Sequence, residues 1–322
     1  MILRLDRFFF ASAMAAAFAL AVLPSPAAAQ AFTSPQGVGA VTLMWQFVDN
    51  TGHRLSDGAL RVAGESVTTS AIVEMDYGVT DRLSASAAVP YVFAKYTGAM
   101  PPPSGLAVDA CACWHSSLQD LSLAARYRLG DERWAITPTV KYDGPTHDYA
   151  YVGEAVVGRN LREVQIGAAG GVRLVDLLPK ASVQAGYTYA FVEKPLSDVP
   201  INRSNAFVDF GYALTRALYV RGDATWQRTN GGLRFGSLSG NPFFPPGEYN
   251  TPQRFAERDR LGRVNYWHVG GGASFSAGPV DLFVSLTKYV SGTDTHNGQA
   301  VTVGTTWYFD LSKKSGASPS RR

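Results

Sequence analysis

Apolar and polar residues alternate one by one along much of the chain. In Leu83–Val89 the odd positions are apolar, and the same parity continues to Tyr91 and Phe93. Because successive side chains of a strand point to opposite faces, a period of two predicts strands with one apolar face. Twelve such strands are predicted, near residues 37–49, 67–78, 83–95, 118–129, 133–143, 161–174, 180–191, 204–214, 217–229, 263–275, 279–290 and 298–310.

The connections between these strands alternate between short and long. Six longer connections, of which 96–117 and 230–262 are the longest, separate five short ones at 79–82, 130–132, 175–179, 215–216 and 276–278. Short turns on one side, long loops on the other and an even strand count are typical of an outer-membrane barrel. The sequence therefore predicts an all-β fold, a closed antiparallel transmembrane β-barrel with both chain ends on the short-turn, periplasmic side.

A soluble β-sandwich also alternates, so the placement of aromatic residues on the apolar face decides between the two folds. A periplasmic set comprises Tyr77, Tyr127, Trp134, Tyr212, Trp307 and Phe309, and an outer set comprises Trp45, Phe47, Tyr91, Phe93, Tyr142, Tyr189, Phe191 and Trp226. Two aromatic belts with small and aliphatic residues between them suit a lipid slab with two interfaces. The ten steps from Leu83 to Phe93 also match an apolar band about 25 Å tall once the strand is tilted.

Two prolines resist this interpretation. Pro90 and Pro138 lie inside predicted strands, and each removes a backbone donor from a ladder. Bulges or a local loss of pairing are expected at both positions.

The ends of the chain predict export. Residues 1–29 have a basic start at Arg4 and Arg7, an apolar run and small residues before position 30, as in a cleaved signal peptide. Residues 30–311 would then form the barrel in a Gram-negative outer membrane, followed by a basic periplasmic tail at 312–322. Losing two arginines and one aspartate lowers the net charge from +3 by one. This near-neutral balance gives no case for a nucleic-acid partner, and no cofactor is expected.

The inward face of the predicted barrel is charged. Alternation and depth place these residues in the lumen: Glu74, Asp76, Arg126, Arg128, Arg173, Lys180, Arg221 and Asp223. Two interpretations remain open, since the charges either form compensating pairs that fill a narrow barrel or set the selectivity of a permeation constriction.

A gate is expected to come from the outer loops or from lumen side chains, because only about seven residues precede the first strand and no N-terminal plug domain is expected. The loop 230–262 either folds inward as an apolar gate or packs on the rim, and its aromatic residues are Phe235, Phe243, Phe244, Tyr249 and Phe255.

The two cysteines lie close together in the second outer loop. Cys111 and Cys113 could form a disulfide, remain free thiols, or join His115 as a weak candidate site for a soft metal. His115 also begins a His-Ser-Ser element that ends at Ser117 and matches the His-x-Ser form of outer-membrane phospholipases. Chance explains this match, because the chain has five histidines and many serines, so an enzyme is not expected.

Two stretches resemble a known family. Asp76–Leu83 continuing to Ala88–Val92, followed by Leu118–Leu129, is similar to the outer-membrane family described as involved in the meta-pathway of phenol degradation. The resemblance implies a channel for passive uptake of small hydrophobic or aromatic compounds. Its expected partners are outer-membrane lipid, such solutes and the barrel assembly machinery. The alternatives are an outer-membrane lipid hydrolase and a structural barrel without a pore.

Overall fold

A computed structural model of the chain describes residues 31–62, 64–98, 112–175, 178–234 and 247–312. The predicted signal peptide and all but the first residue of the predicted tail lie outside these ranges. Two short helices, α1 (Pro252–Ala256) and α2 (Arg258–Leu261), lie in the last long loop of the described part. The strand segments are β1 (Val38–Arg54), β2 (Leu60–Arg61), β3 (Gly64–Gly78), β4 (Leu83–Gly98), β5 (His115–Leu118), β6 (Asp120–Tyr127), β7 (Leu129–Gly130), β8 (Trp134–Pro145), β9 (Glu163–Arg173), β10 (Ala181–Val192), β11 (Ile201–Ala213), β12 (Leu218–Gly231), β13 (Asn265–Ala277), β14 (Val280–Thr293) and β15 (Thr295–Asp310).

The segments form one closed antiparallel barrel of twelve strands. Each strand pairs with its neighbours in chain order, and the last strand, β15, pairs with the first, β1, from Val38 opposite Asp310 to Arg54 opposite Thr295. Segments β5, β6 and β7 together form one strand of the wall, while β2 only extends the pairing of β1. The predicted fold class is confirmed, and every predicted strand has its counterpart.

The outward face of the wall is apolar all the way round. In the absence of lipid, large hydrophobic side chains on this face are exposed. The exposed fraction is 60% for Leu286 and 53% for Val140. Such a surface suits lipid rather than water. Residues of both predicted aromatic belts pack together, with Trp45 and Phe93 at 6.1 Å between ring centroids in the outer belt and Tyr77 and Phe309 at 6.5 Å in the periplasmic belt. Among the described residues, no helix has the length and apolar character needed to span a membrane.

Each proline interrupts the ladder on one side of its strand, as predicted, while the ladder on the other side is continuous. On the outer side of β4, Ala88 pairs with Ser122 and Tyr91 pairs with Leu118, so two residues of β4 face three of the adjacent strand. This is a β-bulge, and Pro90 lies in it. The pairing of β8 with β6 stops at Thr139, and its pairing with β7 resumes at Ile136 without a change of register. Pro138 therefore lies in a gap of this ladder.

The wall reaches further outward than predicted on one side of the barrel. Strand β1 continues to Arg54, and β14 and β15 are separated only by Asp294, which has a positive φ of 52°. Residues 291–293 pair with β13, and residues 295, 296 and 298 pair with β1, so most of the loop expected between 290 and 298 is strand. Above the membrane both faces of a strand meet water, so the alternation that marks strands in lipid is lost there although the hydrogen-bonded ladder continues.

Two adjacent alanines on β4 offer a matched test of the two faces. Ala87 lies opposite the exposed Met75 and Leu123, whereas Ala88 lines an internal cavity. We expect Ala87→Arg to lower the free energy of unfolding by about 2–4 kcal/mol, because it places a charge against mid-bilayer lipid. Ala88→Arg should have a much smaller effect. Urea unfolding in lipid vesicles measures both, and equal losses would contradict the assignment of the two faces.

Candidate functional site

The lumen contains two consecutive cavities. An inner cavity of about 540 Å³ lies nearer the periplasmic end, and an outer cavity of about 480 Å³ lies below the long loops. Gln227 and Tyr266 line both cavities, and the hydroxyl of Tyr266 donates a hydrogen bond to Oε1 of Gln227 at 3.2 Å. These two side chains therefore form the partition between the cavities.

The residues that precede β1 enter the barrel from its periplasmic end. Ala31 is fully buried, and its carbonyl accepts a hydrogen bond from the hydroxyl of Thr137 at 2.6 Å. The backbone N–H of Ala31 donates to Oε1 of Gln184 at 3.2 Å, from a different strand of the wall. Residues 31–37, which we call the N-terminal segment, thus enter the lumen with their first residues, while Pro35 and Gln36 are exposed at the periplasmic rim.

This segment revises the expectation that a gate could come only from outer loops or wall side chains. No plug domain is required, because seven extended residues reach about 25 Å. The ring of Phe32 lies 5.0 Å from the guanidinium of Arg173, in a cation–π contact. The hydroxyl of Ser34 donates to Oδ1 of Asp76 at 2.9 Å, which ties the segment to the charged face.

Part of the predicted charged set forms ion pairs inside the lumen. Arg126 and Asp76 form an ion pair in which both side chains are largely buried. Glu74 lines the inner cavity together with Arg126. On the other side of the barrel, Nε of Arg221 lies 3.0 Å from Oδ2 of Asp209, and Nη2 of Arg221 lies 3.6 Å from Oδ1 of Asp223.

Two predicted members of that set lie at the periplasmic rim instead. The guanidinium of Arg128 donates to the carbonyl of Asp81, in a short turn, at 2.9 Å. Lys180 is exposed and occupies the turn before β10, with a positive φ of 76°. Alternation assigned both to the inward face, but it does not mark the residue at which a strand gives way to a turn.

Other lumen charges were missed by the sequence reasoning. Nζ of Lys141 lies 2.8 Å from Oδ1 of Asp143, and Arg203 forms an ion pair with Glu163. All four occupy inward positions on β8, β9 or β11, so extending the alternation along these strands would have found them. Arg159 lies in the loop between β8 and β9, where no periodicity marks it.

Two loops roof the outer cavity, and hydrogen bonds join them. Arg260 of α2 donates from Nε to the carbonyl of Arg159 at 2.8 Å and from Nη2 to the carbonyl of Asn160 at 2.9 Å. The backbone N–H of Gly153 donates to Oδ2 of Asp259 at 2.8 Å. The loops 146–162 and 247–262 therefore act as one roof, in which Glu154, Arg159, Asp259 and Gly262 line the cavity.

The roof is anchored by a buried apolar cluster. Tyr249 is fully buried in it, burial raises the pKa of its hydroxyl, and that hydroxyl donates to the carbonyl of Leu233 at 3.3 Å. Phe255 is half-buried, 4.9 Å from the guanidinium of Arg258. The described part of the predicted gating loop thus reaches over the mouth, whereas Phe235, Phe243 and Phe244 lie outside the described residues. The cluster comprises Leu161, Ala190, Val192, Val199, Ile201, Leu233, Tyr249 and Leu261.

Two histidines of the wall, His53 and His296, lie next to Glu154 of the roof. Nε2 of His53 lies 3.4 Å from Oε2 of Glu154, and the rings of His53 and His296 are 4.1 Å apart. Burial alone raises the pKa of Glu154, but the hydrogen bond and charge of His53 outweigh that effect, so the pKa is lowered. Glu154 is therefore ionised in the roof at neutral pH.

The candidate soft-metal site is not assembled. Cys113 is disulfide-bonded, and the chain has one other cysteine, Cys111, which lies outside the described residues. A disulfide sulfur offers no thiolate to a metal. No group of three or more His, Cys, Asp or Glu side chains arranged to hold a metal occurs within the described ranges, and His115 is half-buried at the start of β5.

The serine of the predicted His-x-Ser element meets a different histidine. Oγ of Ser117 lies 2.9 Å from Nε2 of His147, and Nδ1 of His147 lies 3.0 Å from the hydroxyl of Thr146. A serine hydrolase needs a group that orients the histidine, usually a carboxylate. Here a threonine hydroxyl takes that position, so the contact is a dyad rather than a triad.

Comparisons with known proteins identify the fold. No protein-family model matches the chain, and no curated protein matches it in sequence. A crystal structure of an outer membrane channel from Pseudomonas putida F1 superimposes with a TM-score of 0.66 at 14% identity, covering 88% of this chain and 100% of that one. An autotransporter translocator domain from Neisseria meningitidis gives 0.48 at 11% identity. The toluene transporter of Ralstonia pickettii superimposes with a TM-score of 0.40 at 11% identity. Each of the last two alignments covers 86% of this chain and 90% of the other chain. The likeness to the first structure shows an outer-membrane β-barrel fold.

Proposed function

We propose that this barrel is an outer-membrane channel for the passive uptake of small hydrophobic or aromatic compounds. The observation that carries the proposal is the pair of consecutive cavities along the lumen, between the N-terminal segment and the roof. Volumes of about 540 and 480 Å³ are in the range of small-molecule sites. A solute can thus rest in two compartments on its way through the wall.

The lining of the cavities favours solutes of mixed character. Ala88 and Phe207 give the inner cavity an apolar part, while Glu74, Arg126 and Lys141 give it a charged part. A lumen closed at both ends by ordered segments suits the slow passage of compact solutes better than a free flow of hydrated ones. The fold likeness to a protein described as an outer membrane channel and the resemblance to the phenol meta-pathway family support the same role.

The uptake test uses a Gram-negative host, with and without the protein, and radiolabelled toluene and phenol at low concentration. We expect the protein to accelerate uptake. Ala88→Trp, which fills the inner cavity, should reduce the rate severalfold, whereas Ala87→Trp on the lipid face is the matched control and should not. If the two tryptophan variants behave alike, the solute does not pass through the lumen.

A lipid hydrolase is the second candidate, because of the contact between Ser117 and His147. Purified protein in mixed micelles with phospholipid separates the two functions. A channel releases no fatty acid, and Ser117→Ala leaves its uptake rate unchanged. Release of fatty acid that Ser117→Ala abolishes would establish the hydrolase instead, and an absence of both activities would favour a structural barrel without a pore.

A further inference from the structure

A half-buried arginine in the roof, Arg159, has no ion-pair partner among the described residues. The guanidinium of Arg159 forms no ion pair and no hydrogen bond with the described residues, and its Nη1 nitrogen is buried. Burial lowers the pKa of this group. Because a buried charge without a partner is costly, such a group usually neutralises itself through a bound counter-ion or a paired side chain.

The guanidinium of Arg159 is located by the residues with which it lines the outer cavity and on which its charge acts. They are Arg203 on β11, Tyr266 on β13 and His296 on β15, three different strands of the wall. All of them line the outer cavity, as does Arg159. The charged head of Arg159 therefore lies inside the cavity, between the roof and the wall, rather than in solvent.

The carboxylates that line the same cavity are engaged with other groups: Glu154 faces His53 at 3.4 Å, and Asp294 accepts a hydrogen bond from Ser56 at 2.7 Å. Arg203 is itself a half-buried cation, paired with Glu163, and its Nε is buried without a hydrogen-bond partner. The carboxylate that acts on Arg159, Asp259, accepts a hydrogen bond from Gly153 and lies 4.0 Å from Arg258. Two guanidinium groups thus repel each other across a cavity, and both retain donors that point to no acceptor.

Beside these donors the cavity has an aromatic wall. The rings of Tyr266 and His268 are stacked with centroids 4.4 Å apart, and the ring of Tyr289 meets His268 edge-on at 6.3 Å. All three side chains line the outer cavity. A flat apolar ring packs against such a wall, while a planar carboxylate matches the fork of a guanidinium.

We propose that the outer cavity is a binding site for small aromatic carboxylates, with Arg159 as the main anion-binding group and Arg203 as a second. The ring of the ligand lies against Tyr266 and His268. This inference rests on the proposed channel function and narrows its solute class, because a neutral hydrocarbon leaves the charge of Arg159 unbalanced. A ligand with both a carboxylate and an aromatic ring can pair with the guanidinium groups and pack against the aromatic side chains of the cavity.

The test is the binding of benzoate to the purified, full barrel in detergent, measured by isothermal titration calorimetry. Benzyl alcohol serves as the neutral analogue and acetate as the anion without a ring. We expect benzoate to bind about tenfold or more tightly than either. Arg159→Gln should weaken benzoate by a similar factor. Arg162→Gln is the control, since Arg162 lies in the same loop but is exposed and faces Glu193 at 3.6 Å.

Thermal unfolding distinguishes a binding role from a structural one. Benzoate should raise the unfolding temperature of the native barrel but not that of Arg159→Gln, and the variant without ligand should be at least as stable as the native protein. If Arg159→Gln unfolds at a lower temperature than the native barrel, and benzoate does not change the unfolding temperature of the native barrel, Arg159 is a structural residue and the inference fails. Equal binding of acetate and benzoate would overturn the aromatic part of the proposal.

The two proposals can fail separately. Uptake of toluene without any binding of benzoate would leave the channel function standing and overturn the carboxylate site. Binding of benzoate that depends on Arg159, in a barrel that accelerates the uptake of no aromatic solute, would support the site and overturn the channel.

Discussion

Deletion of residues 31–35 is expected to raise the single-channel conductance severalfold. Ala31 and Phe32 occupy the periplasmic end of the lumen, where they contact Thr137, Gln184 and Arg173. Their removal leaves the inner cavity open to the periplasm, and a wider constriction passes more ions. Planar-bilayer recordings of the purified barrel measure the effect.

A graded series makes this expectation specific. Phe32→Ala removes one ring but keeps the backbone contacts, so its conductance should lie between those of the native and the deleted forms. Gln36→Ala changes an exposed residue of the same segment and is the control. Identical currents for the native and the deleted forms would show that the periplasmic end is not the narrowest point of the lumen.

Replacing Arg126 with Met is expected to lower the free energy of unfolding by about 3 kcal/mol, because it leaves the buried carboxylate of Asp76 without its partner. The double variant with Asp76→Asn removes both charges and should recover much of that loss. Urea unfolding in lipid vesicles for the two single variants and the double variant gives the coupling energy. A coupling near zero would mean that the pair contributes nothing to stability.

Variants of this pair also differ in permeation. Asp76 accepts a hydrogen bond from Ser34 of the N-terminal segment and pairs with Arg126, so Asp76→Ala, which removes the acceptor, should increase conductance while Arg126→Met should not. Arg126→Met leaves Glu74 and Asp76 uncompensated, so reversal potentials in a salt gradient should move toward cation preference. Because Arg128 lies at the rim, Arg128→Met is the control and should leave the potential unchanged.

The wall of the barrel was predictable because lipid enforces a strict pattern. A position such as Val140 must be apolar when it faces hydrocarbon, and its neighbour Lys141 is free to be charged because it faces the lumen. The bulge at Pro90 followed from the missing donor of proline alone. In each case one local rule, applied at one residue, determines the structure.

The closures of the lumen were not predictable in the same way. Ala31 and Arg159 lie in segments without periodicity, and each acquires its role from residues more than forty positions away. The two ends of the barrel are therefore determined by tertiary contacts, which a pattern along one strand does not contain. The roof illustrates this, since Arg260 binds carbonyl groups of a loop about one hundred residues earlier in the chain.

The seam between β1 and β15 has a consequence for biogenesis. Thr42 and Thr306, whose hydroxyls are 2.9 Å apart across this seam, are separated by 264 residues in the chain. One edge of β1 therefore stays unpaired until β15 is in place, and contacts of such high sequence separation form slowly. During that interval two long strand edges with apolar faces are open to any other chain. A protein built this way needs its edges shielded while it is incomplete, which is the physical reason to expect an assembly factor that holds both ends of the sheet until they meet.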